Sequence, residues 1–228
     1  MASIKKRMGK VVTAMAVRLS RKLNSWKRTV DRLSMPEFAN RPRNLKISQP
    51  VRLAQPQNIR IGDDVSIGPG SYLKTVVRYP GRGDSESSWG VPVQEFKPEL
   101  VIGNRVSATS ALQLSALESI VIEDDVMFAA NVFVCDGLHG YENTDVPYKY
   151  QAMGRVAPIR IGKASWIGQN VVIMPGVTIG EFSIIGANSV VSRDIPERCI
   201  AVGNPARVIK RWDEEEKRWV PYRAENGA

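Results

Sequence analysis

One histidine, two cysteines and 7% aromatic residues are what this chain of 228 residues has least of. A zinc finger or ribbon takes four Cys or His ligands, and His139, Cys135 and Cys199 cannot supply them. No metal site is therefore expected. Two cysteines are also too few for a disulfide framework. Both thiols are expected to pack as small apolar groups in a reducing cytoplasm. Nothing at the N-terminus reads as a signal peptide, and no apolar run approaches the ~20 residues that cross a bilayer.

Charge is abundant but uneven. The net charge is +9. Residues 1–36 hold ten Lys or Arg against Asp31 alone, so the remaining residues balance. The basic character belongs to an arm, not to the body. Within that arm Ile4, Met8, Val11, Met15, Leu19, Leu23, Trp26, Val30 and Leu33 recur every three or four positions. This predicts an amphipathic helix over 3–34, stopped by Pro36. Its apolar edge either packs on protein or lies on an anionic membrane surface, with Lys and Arg at headgroup level. Zinc spacing and aromatic platforms are missing, so nucleic acid is not an expected partner.

A different period governs the rest. Ile161, Ile167, Ile173, Ile179, Ile185 and Val191 fall six apart without a break. Four places after each stands Ser165, Val171, Val177, Ser183, Ser189 or Ile195. On an α-helix a step of six rotates each residue by about 240°, scattering the aliphatics around the axis. On extended backbone six is a multiple of two, so they all face one way. Short strands that turn repeatedly, each coil on the last, satisfy the pattern: a hexapeptide-type parallel β-helix. Earlier hexads begin at Ile61 and Ile67, resume at Ile102, Ala108 and Leu114, slip by two at Glu118, and continue at Ile122, Phe128 and Val134. A slip of two keeps the inward face inward. The domain reading is an arm at 1–45, a coil at 46–205 with excursions at 75–100 and 136–158, and a tail at 206–228. In the tail, Asp213–Trp219 is expected to form a short helix, with its acidic residues at the positive end of the helix dipole.

The run WIGxNVxIxPGVxIGxxSIIGANSVV, followed by AVGNPARVI, resembles the hexapeptide-repeat acyltransferases. It is most similar to the bacterial O-acetyltransferases of surface polysaccharides. The resemblance spans roughly residues 100–212. It implies an all-β fold built on a left-handed coil, a homotrimer, acetyl-CoA as donor, and a sugar or glycan hydroxyl as acceptor, which the basic arm suggests is lipid-linked.

Acyl transfer from a thioester needs a base, donors for the developing oxyanion, and a groove that aligns both reactants. His139, the sole histidine, sits just after a coil strand on the longest break in the later repeats. The segment VCDGLHGYENTDVPYKYQ is similar to the stretch that holds the general-base histidine in that family. Direct transfer follows, because no second histidine exists to activate a Ser or Cys nucleophile. By the same resemblance Trp166, Gly168, Gln169 and Ala187 border the pantetheine arm. Arg193, Arg207 and Lys210 are candidates for the CoA phosphates. Asp136, Tyr141 and Gln151, and Trp89 on the first excursion, are candidates for acceptor contact, and Asp136, Glu142 or a backbone carbonyl for orienting the imidazole. The Asn that galactoside enzymes place near the sugar has no counterpart around Ala111–Gln113. A three-histidine carbonic anhydrase coil is excluded by the single histidine, and a nucleotidyltransferase is not expected from the short stretch before the first hexad. Acetylation of an amino-sugar and a non-catalytic scaffold are the remaining alternatives.

Overall fold

The computed structural model describes residues 2–33, 35–79 and 93–222. The chain divides into two compact units, residues 1–36 and 37–228. The first holds one α-helix, Ala2–Leu33. Met15, Leu19, Leu23, Trp26 and Val30 line one stripe of it, and all five side chains are exposed. No helix of the described residues is long and apolar enough to cross a membrane.

The second unit is a coil with three walls of parallel strands. The first wall stacks Lys46–Ile47, Ser66–Ile67, Ser107–Ala108, Met127–Phe128, Trp166–Ile167, Ile184–Ile185 and Cys199–Gly203. The second stacks Val51–Ala54, Ser71–Thr75, Gln113–Ala116, Phe133–Cys135, Val172–Ile173 and Val190–Val191. The third stacks Ile59–Ile61, Glu99–Ile102, Ser119–Ile122, Ile159–Ile161 and Thr178–Ile179. The chain visits the walls in that order. Trp166 pairs with Ile184 and Val172 with Val190, so one turn is three hexads.

The aliphatic member of each hexad fills the interior. Ile161, Ile167, Ile173, Ile179, Ile185 and Val191 are all 0% exposed. Each such burial contributes roughly 1.5–3 kcal/mol. The small residue four places on sits at a corner. Where it is serine its hydroxyl is buried and paired: Ser165 donates to the Gly180 carbonyl, Ser183 to Pro196 and Ser189 to Gly186. The residue before it takes the left-handed backbone at Ala164, Asn170, Phe182 and Asn188. That conformation costs an L-residue roughly 1–2 kcal/mol. Side-chain amides stacked from Asn131 to Asn170 to Asn188, each link 2.9 Å, help offset it. Glycine after the aliphatic has a steric cause. A Cβ on Gly168 would lie 2.7 Å from the Ala187 nitrogen and the Ile185 oxygen of the next turn.

The tail departs from expectation. Residues 213–219 form no helix. Ala206–Asp213 and Arg218–Pro221 make an antiparallel hairpin that extends the first wall. The Asp213 carboxylate accepts the Glu215 and Glu216 N–H groups, each at 2.9 Å, and Lys217 adopts positive φ. The acidic run is therefore a turn closed by its first side chain. Trp212 and Trp219 face each other across the strands, ring centroids 5.5 Å apart, and border one pocket with Phe182 and Arg198 of the coil.

Candidate active site

Twice the chain leaves the coil at the same corner, between the second and third walls. It departs after Thr75 to return at Glu99, and after Cys135 to return at Ile159. The two departures are two turns apart, and between them the intervening turn makes its two-residue slip at Leu117–Glu118. One carboxylate stabilises that slip. Asp136 accepts hydrogen bonds from the backbone N–H groups of Leu117, Glu118 and Ser119, at 2.7, 2.8 and 2.8 Å. It is 0% exposed, and burial pushes its carboxyl above the usual carboxylate range, opposed by those three donors. The expectation that Asp136 touches substrate or orients the imidazole is corrected: both of its oxygens are committed to backbone.

The excursions grip one another. Gln94 donates from Nε2 to the Met153 carbonyl at 3.3 Å, and its Oε1 accepts the Met153 N–H at 2.6 Å. The Tyr79 hydroxyl donates to the Lys149 carbonyl. On the second excursion Gly137–His139 pairs antiparallel with Met153–Val156, with His139 opposite Met153. The Gly140 N–H continues the hairpin to the Ala152 carbonyl at 2.8 Å. His139 stands at the end of that strand, exposed. Its ring meets the Tyr79 ring edge-on, centroids 5.1 Å apart and planes at 71°. Among the described residues its ring nitrogens have no hydrogen-bond partner. The imidazole is thus held by packing while both nitrogens stay available. Tyr79 and Gln94 were not flagged by the sequence. They lie far from His139 in the chain and carry no motif.

The other candidates are scattered. Gln151 is not free for substrate: its Nε2 donates to the Asn143 and Val146 carbonyls at 2.6 and 2.8 Å, pinning the loop beyond His139. Its expected acceptor role is corrected to a structural one. Tyr141 is 67% exposed on the same loop. Trp89 lies outside the described residues. On the first wall Trp166 is 47% exposed, flanked in register by Met127 and Ile184. Gly168, Gln169 and Ala187 adjoin it on successive turns: Gly168 donates to the Ile185 carbonyl at 2.8 Å, and Asn188 to the Gln169 carbonyl at 2.8 Å. Arg193 is exposed on the way from the second to the third wall. Arg207 and Lys210 are exposed on the hairpin strand that pairs with Cys199–Gly203.

Trp166 and His139 are not brought together within one chain. Trp166 is on the first wall, and His139 leaves from the corner between the other two, on the opposite side of a three-walled coil. Covalent catalysis by cysteine has no support in the geometry. Cys135 directs its thiol to the Gly137 carbonyl at 3.0 Å, and burial raises its pKa, so it stays protonated. Burial raises Cys199 likewise. No cluster of potential metal ligands occurs among the described residues.

The fold and repeats have known counterparts. Residues 158–193 match the family described as "Bacterial transferase hexapeptide (six repeats)". An Escherichia coli K12 protein named as a lipopolysaccharide-biosynthesis O-acetyl transferase, WbbJ, is 32% identical over 127 residues, covering 53% of this chain and 64% of that protein. Galactoside O-acetyltransferase of the same organism is 36% identical over 138 residues, covering 59% and 66%. This chain therefore spans somewhat less than two thirds of the curated relatives it matches. A solved structure of a mutant of AntD, an N-acyltransferase from Bacillus cereus in complex with dTDP and coenzyme A, superposes with a TM-score of 0.61 at 19% identity, covering 82% of this chain and 90% of that one. The stacked walls and the unbroken hexads agree with these matches, and residues 158–193 carry the repeats of the bacterial hexapeptide transferases.

Proposed function

We propose that this protein transfers an acetyl group from acetyl-CoA to a hydroxyl of a sugar or glycan, with His139 as general base. The observation that carries the reading is the imidazole itself. It is the only one in the chain, exposed, braced by Tyr79, and free at both nitrogens among the described residues. A free nitrogen takes the hydroxyl proton as the oxygen attacks the acetyl carbon. The carbon–sulfur bond breaks, and the protonated ring returns that proton to the departing sulfur. The protonated thiols of Cys135, half-buried, and Cys199, buried, favour this direct route over an acyl-enzyme.

The thioester would lie along the ledge of Trp166, Gly168 and Ala187. The Gln169 N–H would point at the carbonyl oxygen, and Arg193, Arg207 and Lys210 would take the phosphates. Because that ledge and His139 face opposite ways on one chain, a complete site draws its base from one copy and its donor groove from a neighbour. This favours the homotrimer implied by the family resemblance, which also implies the left-handed coil. The exposed stripe of the Ala2–Leu33 helix, set among ten cations, fits a peripheral position on the inner face of an anionic membrane, near a lipid-linked acceptor. CoA release, followed across a panel of neutral sugars, amino-sugars, nucleotide sugars and lipid-linked sugars, tests the reading. His139→Ala should retain its oligomeric state and lose at least about a hundredfold in turnover. Undiminished turnover in that variant would remove His139 from the chemistry.

A further inference from the structure

A cleft of about 910 Å³ opens where the first excursion leaves the coil. Among the described residues its walls carry Lys74, Arg78 and Lys97 but only one carboxylate, Glu95. None of the three cations has an ion-pair partner among the described residues. This holds even for Arg78, whose direct cross-strand neighbour is Glu95. The Arg78 Nε is buried and makes no hydrogen bond among the described residues. A buried guanidinium donor without an acceptor is costly, and a ligand oxygen would relieve it. Tyr79 lines the same cleft and touches the His139 ring with its edge. One ring, that of Tyr79, thus borders both the cleft and the proposed base.

We infer that this cleft binds a diphosphate attached to the acceptor, anchoring it so that the sugar reaches His139. Charge and size select that ligand class. An excess of two positive charges matches a diphosphate better than the single carboxylate of an acidic sugar. Lys and Arg are the usual partners of phosphate oxygens. Sites for molecules larger than one sugar ring run to about 300–1,000 Å³, and this cleft is at the upper end. A nucleotide-linked sugar and a lipid-linked sugar present the same diphosphate. The inference rests on the acetyl-transfer reading for its orientation, not for its binding test.

That test is calorimetric titration of the whole protein with UDP and with inorganic pyrophosphate. A second arm uses geranylgeranyl diphosphate in neutral micelles. Saturable binding of at least one of these is expected. Arg78→Gln with Lys97→Gln should weaken it about tenfold or more, with Lys97→Gln alone, at an exposed position, weakening it several-fold. His139→Ala should bind as tightly as the unaltered protein. Preference for UDP assigns the nucleotide source, and preference for the prenyl diphosphate the lipid source. No saturable binding in either arm, or equal affinity in the double variant, overturns the inference. Those results leave the His139 turnover test standing. Diphosphate binding alongside an active His139→Ala variant would sink the transfer chemistry alone.

Discussion

Asp136→Ala separates a structural carboxylate from a catalytic one. The side chain accepts three backbone N–H groups, one fully buried at Leu117 and two partly buried at Glu118 and Ser119. Removing it leaves these donors facing an apolar void. An orphaned buried donor costs about 1–3 kcal/mol, and partly buried ones fall at the low end. The gross loss is then about 4 kcal/mol. Relief from burying a carboxylate, the largest influence on its raised pKa, offsets part of that. A net destabilisation of about 3 kcal/mol is expected, visible as a lower midpoint in urea unfolding followed by circular dichroism. Asp136→Asn keeps one acceptor oxygen and should lose roughly half as much. Under native conditions both variants should keep turnover within a few-fold of the parent. A variant that unfolds at the parent's urea concentration but has lost a hundredfold in turnover would refute the reasoning, making Asp136 a partner of the imidazole after all.

Tyr79→Ala should lower turnover by about two- to tenfold, the worth of one edge-to-face ring contact, with little change in the KM for acetyl-CoA; steady-state kinetics checks this. Gly168→Ala places a methyl 2.7 Å from the backbone of the next turn and should cost about 1–3 kcal/mol in denaturant unfolding. Deleting residues 1–35 should abolish pelleting with phosphatidylserine vesicles at low salt while leaving turnover on a soluble acceptor intact. Pelleting that survives the deletion would place the membrane contact elsewhere. Trp212→Ala should open the terminal hairpin, detected as loss of the paired-indole signal in near-ultraviolet circular dichroism.

The sequence by itself was enough for the coil. A step of six admits extended backbone and rejects a helix, so the inward residues from Ile161 to Val191 could be named from their spacing. The slip at Glu118 was also visible, because shifting by an even number keeps Ile120 and Ile122 inside. The single histidine marked itself by its place on a break in the repeat. Three things depended on tertiary structure. The turn at 213–217 and a helix start share acidic residues, and only the pairing of Trp212 with Trp219 chose between them. The carboxylate of Asp136 lay three residues from His139, yet the open donors it meets belong to the turn before. The meeting of Tyr79 and Gln94 with the histidine loop came from two departures at one corner, two turns apart. Chain spacing along a coil records which way a residue faces, but not which of the excursions at a corner will touch, since that follows from the stacking of turns.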